Sequence, residues 1–266
     1  MMNSVLKVEN LSISFGGLKA VDDLSFEIGD KMIYGLIGPN GAGKTTVFNC
    51  ITKFYTPNSG KVTFKTNTGE QINLLEHSVH QIINYGLART FQNVELINDL
   101  SIIDNLLIGA HSQYKTSALQ QAFLTPRARR EEKEHRGRAM DILNQLGLAD
   151  KANEIAGSQP YGVLKNVELA RTLMSRPKLI IIDEPAAGLN ETETEALAEM
   201  IKKIRDYYHC AVLMVEHDMG LVMSTCERIC AINFGKKLAE GTPDEIKQNK
   251  EVQEAYLGKD DDDAEN

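Results

Sequence analysis

The sequence predicts an α/β protein built around a parallel sheet. One observation is an apolar run at residues 32–37 that passes through a glycine-rich stretch into a helical pattern starting at Thr45, as in a strand–loop–helix unit. A second apolar run, residues 179–182, has the character of a strand that is buried on both faces of a parallel sheet. Strand and helix patterns then alternate up to residue 233, which favours strand–helix–strand units.

The remaining elements follow in chain order. Residues 6–26 predict two short strands around a turn at Gly16 and Gly17, and residues 61–64 begin another hairpin. From about residue 93 to 176 the pattern is helical and is interrupted by Pro126. Charges of both signs alternate closely at residues 127–138, which favours a solvated helix over a surface for lipid headgroups. The later elements expected are strand 179–182, helix 193–207, strand 211–215, helix 220–226 and strand 228–233.

Residues 38–46 match G-x-x-x-x-G-K-[ST], the pattern of a phosphate-binding P-loop. Glycines let the backbone bend into a nest of N–H groups, and the helix starting at Gly43 directs the positive end of its dipole to the same place. Lys44 would contact the β- and γ-phosphates, and the Thr45 hydroxyl would bind Mg²⁺. The alternative is a glycine-rich turn with a chance lysine. The predicted ATP-binding residues of this loop are Gly38, Pro39, Asn40, Gly41, Ala42, Gly43, Lys44, Thr45 and Thr46.

Two acids, Asp183 and Glu184, follow the apolar run at 179–182. Ligand sites in parallel sheets lie at the carboxyl ends of the strands, so we expect these acids beside the P-loop. Asp183 would hold Mg²⁺ through water, and Glu184 would polarise the attacking water. The alternative is a strand that simply enters a polar turn.

His217 follows the third buried strand, residues 211–215. A histidine at a strand end is often a hydrogen-bonded structural residue. At this position, however, a ring N–H could stabilise the charge that develops on the transferred phosphoryl group.

The order of these motifs resembles the nucleotide-binding subunit of an ATP-binding-cassette (ABC) transporter, over about residues 6–258. Three further segments support the resemblance: Gln92 in Ala-Arg-Thr-Phe-Gln resembles the Q-loop, residues 159–163 (QPYGV) the signature loop, and residues 185–190 (PAAGLN) the D-loop. The resemblance implies an ATP hydrolase with a P-loop NTPase core, a parallel sheet, a small antiparallel β lobe and an inserted helical subdomain. It also implies ATP and Mg²⁺ as cofactors.

The resemblance assigns roles to particular residues. Catalysis falls to Glu184, His217 and Gln92, and Gln92 joins Thr45 and Asp183 around the metal. Other residues would contact nucleotide or the partner subunit: Phe15 and Val21 at the ATP, Pro160, Tyr161 and Gly162 at the partner's ATP, and Gly188, Leu189 and Asn190 in the D-loop.

The signature loop departs from the common Leu-Ser-Gly-Gly-Gln form. Pro160 stands where the serine is usual, and it offers neither a hydroxyl nor an N–H. Gly162 still permits close backbone approach, and Ser158 could cap the helix that follows.

The segments 184–190 (EPAAGLN), 216–219 (EHDM) and 255–258 (AYLG), with the Pro-Tyr-Gly signature, are most similar to an ATPase subunit of bacterial high-affinity branched-chain amino acid importers. Urea importers and lipopolysaccharide exporters carry close relatives and remain alternatives. A soluble, non-transport ABC ATPase acting on ribosomes or DNA is the alternative from another class. Such proteins usually carry two cassettes or long coiled-coil inserts.

We expect a single nucleotide-binding domain over residues 1–266. Residues 1–92 and 177–258 would form the catalytic core with its β lobe, 93–176 the helical subdomain, and 259–266 an acidic disordered tail.

The partners that the resemblance implies are a second ATPase subunit, identical or not, two membrane permease subunits and an extracytoplasmic substrate-binding protein. The sequence shows neither a membrane-spanning apolar stretch nor a signal peptide, which predicts a cytoplasmic subunit peripheral to the inner face of the membrane. A net charge of −8 argues against nucleic acid as a partner. Of the four cysteines, Cys226 and Cys230 have the i,i+4 spacing of one helix face, but we expect buried packing thiols rather than a metal site.

Overall fold

A computed structural model describes residues 4–90 and 94–257. Its strands are β1 Ser4–Phe15, β2 Leu18–Gly29, β3 Ile33–Ile37, β4 Ser59–Lys65, β5 Gln71–Asn73, β6 Leu87–Arg89, β7 Leu179–Asp183, β8 Ala211–Val215, β9 Arg228–Asn233 and β10 Lys236–Gly241. Its α-helices are α1 Lys44–Ile51, α2 Val79–Asn84, α3 Ile102–Gly109, α4 Ala118–Ala122, α5 Pro126–Leu146, α6 Tyr161–Leu173, α7 Glu191–Tyr208, α8 Met219–Thr225, α9 Pro243–Gln248 and α10 Lys250–Leu257. Gln92 and the predicted tail at 259–266 lie outside the described residues.

The chain forms two compact units, which divide between residues 89 and 90 and between 177 and 178. The first unit combines the N-terminal segment with everything after residue 177, and the second is the segment between. These divisions fall close to the predicted subdomain boundaries. The assignment of one nucleotide-binding domain to the whole chain stays a prediction.

The first unit contains a sheet with the strand order β10-β9-β3-β8-β7-β6. All its neighbours pair in parallel except β10, which is antiparallel to β9. Every residue of β3, β7 and β8 is buried, as expected of strands covered on both faces. The α/β class and the parallel sheet are therefore confirmed.

The register of this sheet places the ends of its central strands side by side. Leu36 of β3 pairs with Val215 of β8, and Val215 pairs with Asp183 of β7. Whatever follows these three residues therefore emerges at one edge of the sheet.

The same unit contains an antiparallel sheet, ordered β2-β1-β4-β5, which confirms both predicted hairpins and the turn at Gly16 and Gly17. Strands β1 and β2 were expected to be short, but each runs over 12 residues. The breaks in their hydrophobic alternation are bulges rather than ends. Asn10 and Asp23 occupy left-handed backbone conformations there, and the Asn10 side-chain Nδ2 donates a hydrogen bond to the Asp23 carboxylate at 2.8 Å.

The second unit is helical, as predicted, and α3, α5 and α6 pack against one another. Pro126 does not interrupt a helix here but begins α5, where its missing N–H costs nothing, and the Thr125 side chain caps the same helix. The buried face of α5 includes Ala139, Ile142 and Leu143. Across the described residues, none of the helices combines the length and the apolar character that crossing a membrane requires.

The cysteines behave as packing residues. Cys226 follows the last residue of α8 and Cys230 lies within β9, so the helical spacing inferred for this pair is wrong. All four thiols are buried, which confirms their expected place in the core.

Candidate functional site

Backbone contacts shape the loop between β3 and α1 and leave no room for a side chain at the glycines that begin and end it. A Cβ atom on Gly38 would lie 2.2 Å from the Ile232 carbonyl oxygen. Gly43 has φ of 102°, and a Cβ there would lie 2.5 Å from the Ala20 carbonyl oxygen. Glycine is therefore required at both ends of the loop by space as well as by conformation.

Neighbouring turns fix the loop in place. The Gly235 amide, in the turn between β9 and β10, donates to the Ala42 carbonyl at 2.9 Å. The Gly235 carbonyl in turn accepts from the Asp22 amide of β2 at 2.9 Å. Within the loop, the Ala42 amide donates to the Pro39 carbonyl at 3.1 Å. The loop is thus held by both sheets of this unit.

Lys44, the first residue of α1, is almost fully buried. Its Nζ donates to the Gly38 carbonyl at 2.6 Å and to the Pro39 carbonyl at 3.1 Å, so the cation lies across the loop. Thr45, next along the helix, is exposed and Thr46 is half-buried. Asn40 and Gly41 are exposed at the tip of the loop.

Asp183, the last residue of β7, is buried, and its burial raises the pKa of its carboxyl above the usual value. Two cations, Arg89 and Lys44, oppose this rise in the pKa, whereas Glu184 and Glu216 add to it. A buried carboxylate that is only partly compensated is suited to hold a cation.

Arg89 is a part of this site that the sequence analysis did not identify. It ends β6, the strand beside β7, and its guanidinium lies 4.1 Å from the Phe48 ring centroid. It also donates to the Asn49 Oδ1 at 3.1 Å. Strand β6 is only three residues long, so no periodicity in the sequence could reveal it.

Glu184 adopts a left-handed backbone conformation with φ of 45°, which is uncommon for a residue with a side chain. Its amide donates to the Val215 carbonyl at 2.8 Å, which ties the residue to the neighbouring strand. Its carboxylate Oε1 lies 3.8 Å from the Nδ1 of His217, and the imidazole is largely exposed. The structure therefore brings these two predicted catalytic side chains together.

Glu216 is the second residue that sequence reasoning missed. It lies between β8 and His217 and has no exposed surface. Its two carboxylate oxygens accept hydrogen bonds from the amides of Ala186, His217 and Asp218. The only signal in the sequence is an acid directly after an apolar strand, which also describes Asp183.

The two side chains predicted to contact ATP outside the P-loop, Phe15 and Val21, differ in exposure. Phe15 is half exposed at the end of β1, and its ring packs edge-on against Tyr55 with the centroids 5.2 Å apart. Val21 is fully buried in β2, so its side chain offers no surface to a ligand.

The D-loop residues follow Glu184 in the same unit. Gly188 has φ of 80°, the Leu189 amide donates to the Ala186 carbonyl at 3.0 Å, and the Asn190 side chain caps α7.

The signature residues belong to the second unit. Pro160 occupies the cap position of α6, and Tyr161 and Gly162 are the first two residues of the helix. The Ser158 hydroxyl instead donates to the Ile155 carbonyl at 2.7 Å, so the expectation that Ser158 caps α6 is wrong. Tyr161 is exposed, with the Lys165 ammonium 5.5 Å from its ring centroid.

These residues fit ATP and Mg²⁺ by their chemistry. The P-loop presents backbone N–H groups at the start of a helix with Lys44 beneath them, which suits a polyphosphate. A hydroxyl on Thr45 and a carboxylate on Asp183 are oxygen ligands of the kind that Mg²⁺ takes.

Similarity to known proteins agrees with the interpretation of this site as an ATP-binding site. The family model for ABC transporters matches residues 21–187, and the model for branched-chain amino acid ATP-binding cassette transporters matches residues 236–262. Among solved structures, the ADP conformation of an ATP-binding cassette of an ABC transporter is 29% identical, covers 96% of this chain and 99% of that one, and superposes with a TM-score of 0.82.

Two curated relatives extend the comparison over the whole chain. The high-affinity branched-chain amino acid transport ATP-binding protein BraF of Pseudomonas aeruginosa is 43% identical over 97% of this chain and 99% of its own length. The corresponding protein LivG of Escherichia coli is 42% identical over the same shares. Together with the P-loop and the acids beside it, these similarities show that the chain belongs to the ATP-binding subunits of ABC transporters, in the branched-chain amino acid group.

Proposed function

We propose that this chain is the ATP-hydrolysing subunit that energises an ABC transporter for the import of branched-chain amino acids. The observation that carries the proposal is the 42–43% identity, over 97% of the chain, to proteins named for that transport. The C-terminal residues 236–262 match the model of the same group. In the proposed transporter this subunit does not contact the cargo, so the cargo assignment depends on this similarity.

The positions of the P-loop and of the acids beside it support a role for each side chain. The backbone of residues 38–43 and the Lys44 ammonium bind the phosphates. Thr45 and Asp183 would hold Mg²⁺, and by its family motif Gln92 would contact the same ion. When bound, Mg²⁺ neutralises charge on the phosphate oxygens.

Two further side chains act on the water and on the developing charge. Glu184 orients the attacking water and accepts its proton, since its carboxylate follows β7 directly at the edge of the sheet. His217 donates a ring N–H to the phosphoryl oxygens as their charge increases. Phe15 offers an exposed ring face on which the base can stack.

The proposed assembly contains a second ATPase subunit, two permease subunits and an extracytoplasmic binding protein. In it Pro160, Tyr161 and Gly162 contact the nucleotide held by the other ATPase subunit, and the D-loop residues 188–190 lie at the junction of the two. We place the subunit in the cytoplasm, at the inner face of the cell membrane.

Uptake in cells that lack this chain tests the function. Cells supplied with the wild-type chain should take up radiolabelled leucine, isoleucine and valine, whereas cells supplied with Lys44→Ala should not. Restoration of urea uptake or of lipopolysaccharide export instead would favour those transporters. Recovery of RNA or DNA with the purified chain would favour the soluble ABC ATPase.

A further inference from the structure

A single buried carboxylate joins two loops of the site. The Glu216 Oε1 accepts from the Ala186 amide at 2.8 Å, and its Oε2 accepts from the His217 amide at 2.7 Å and the Asp218 amide at 3.0 Å. Ala186 lies in the loop after β7, and the other two donors lie in the loop after β8. The carboxylate therefore spans the gap between the segment that carries Glu184 and the segment that carries His217.

Both segments need such a constraint. Glu184 is held in a left-handed conformation, which persists only where the surroundings enforce it. The Val215 carbonyl binds the Glu184 amide on one side. Two residues further on, the bond from the Ala186 amide to Glu216 fixes the other side of the same turn.

We infer that Glu216 is a positioning residue: it holds the Glu184 turn and the His217 backbone in one arrangement and so sets the distance between the two catalytic side chains. This inference rests on the proposed function, because it assigns those side chains to ATP hydrolysis. The Glu216 carboxylate accepts three backbone hydrogen bonds, and its Oε2 also lies 3.6 Å from the Nδ1 of His217. It touches neither the nucleotide nor the attacking water in the proposed mechanism.

The chemistry of the contact gives a specific substitution. A carboxylate has acceptor oxygens for both loops, whereas a glutamine offers one carbonyl oxygen and an NH₂ group that donates. In Glu216→Gln, one of the two loops must therefore face a donor instead of an acceptor. The volume of the side chain is unchanged, so packing is preserved.

The first measurement needs no nucleotide. Hydrogen exchange in the full chain should show that Glu216→Gln speeds exchange of the Ala186 amide, or of the His217 and Asp218 amides, by about tenfold. The Leu213 amide within β8 serves as the internal reference and should not change. Glu240→Gln is the matched variant, since this carboxylate also accepts two hydrogen bonds, from Tyr34 and Lys237, at the β10 edge.

The second measurement separates positioning from folding. In single-turnover assays, Glu216→Gln should slow ATP hydrolysis by about tenfold or more while the Kd for ATP stays within about twofold. The same change should cost less rate in a His217→Ala background than in the wild type, because only its effect on the Glu184 turn then remains. Glu240→Gln should hydrolyse ATP like the wild type. If Glu216→Gln fails to fold, the same assays are carried out on Glu216→Asp. This variant keeps the negative charge, but its side chain is too short to span both loops.

The outcomes distinguish this inference from the proposed function. Full turnover by Glu184→Gln would overturn the assignment of Glu184 as the base in the proposed function. An inactive Glu184→Gln together with a Glu216→Gln that turns over and exchanges like the wild type would overturn only the positioning role. Equal losses from Glu216→Gln with and without His217 would overturn it as well.

Discussion

The Lys44 ammonium donates a hydrogen bond to the Gly38 carbonyl across the P-loop, at 2.6 Å. The lysine is thereby directed at the loop from the first turn of α1. Replacing Lys44 with alanine removes this charge but leaves the backbone cradle. A charge-assisted hydrogen bond contributes about 1.5–3 kcal/mol, so we expect the Kd for ATP to rise by about 10- to 100-fold. Equilibrium binding of a fluorescent ATP analogue measures this change.

Lys61→Ala is the control for Lys44→Ala, because Lys61 is an exposed lysine on β4 in the same unit. It should bind ATP like the wild type. Equal affinity in both variants would contradict the assignment of Lys44 to the phosphates.

The structure shows why some parts of the site were predictable from the sequence and others were not. The P-loop and the acid pair at 183–184 are local patterns, and each is defined by residues within one strand–loop unit. Glu216 and Arg89 gain their roles from the strand order, which brings β6, β7 and β8 side by side. The strand order cannot be read from a single sequence, so the roles of Glu216 and Arg89 were not predicted.

Two glycines of the P-loop, Gly41 and Gly43, share a positive φ but differ in the room they leave for a side chain. Gly41 and Gly43 both have positive φ, 78° and 102°, but only Gly43 lacks room for a Cβ. In the part of the chain that the structure describes, a Cβ on Gly41 would meet no heavy atom within 4 Å. Both alanine variants should lose the roughly 1–2 kcal/mol of a left-handed residue. Gly43→Ala should lose about 1–3 kcal/mol more, because the Ala20 carbonyl must shift.

Urea unfolding without nucleotide measures this difference between the two glycine variants. Gly43→Ala should have the lower free energy of unfolding, with a similar dependence on urea concentration. Equal stability would show that the loop relaxes freely around Ala20.

Glu184→Gln keeps the shape of the side chain but removes the charge that orients water. Loss of a positioned base typically costs about 10²–10⁴ in rate, so single-turnover hydrolysis should fall by that factor. The Kd for ATP should stay near the wild-type value, since Glu184 does not hold the phosphates. A near-normal rate would reassign the role to His217 and Gln92.

Because the cysteine thiols are buried, the rate at which they react with a thiol reagent measures how often the chain unfolds. Burial raises the pKa of Cys210, Cys226 and Cys230 to about 12 and that of Cys50 to about 11. At pH 8 such groups are thiolates to only about one part in 10³–10⁴, whereas an unfolded thiol with a pKa of about 8.5 is roughly one quarter ionised. A chromogenic disulfide reagent should therefore label the native chain only as fast as it opens. Lys61→Cys adds an exposed thiol that should react at once, and rapid labelling of the wild type would contradict the burial.

The raised pKa values of these thiols predict that the free energy of unfolding decreases at alkaline pH. A thiol whose pKa is raised in the folded state keeps its proton there after the unfolded chain has lost it. The contribution to the free energy of unfolding is thus complete below pH 8.5 and declines as the pH rises towards 11–12. Urea midpoints recorded from pH 7 to pH 10 should fall over that window, and constant midpoints would argue against the shifts.

Substitution of Gly162 tests whether the signature loop contacts the ATP of a second subunit. Gly162 is the second residue of α6, where backbone amides lack partners within the helix. Pro160, two residues earlier at the cap position, has no hydroxyl to offer. We propose that these amides and the helix dipole contact the ATP of the other subunit. Gly162→Asp places a negative charge among them and should abolish ATP-driven association. The same aspartate lies in the first turn of a helix, where its charge and its lower backbone entropy favour the helix, so the melting temperature should not fall.

Sedimentation of the Glu184→Gln chain with ATP decides the point. Dimers should form with Gly162, weaken modestly in Gly162→Ala, and disappear in Gly162→Asp, while ATP binding to the P-loop persists in all three. Because ATP should bind the closed pair more tightly than the separate subunits, it stabilises the pair by mass action, and removal of nucleotide should have the same effect as the aspartate. A dimer that ignores both ATP and Gly162→Asp would show that the subunits meet through some other surface.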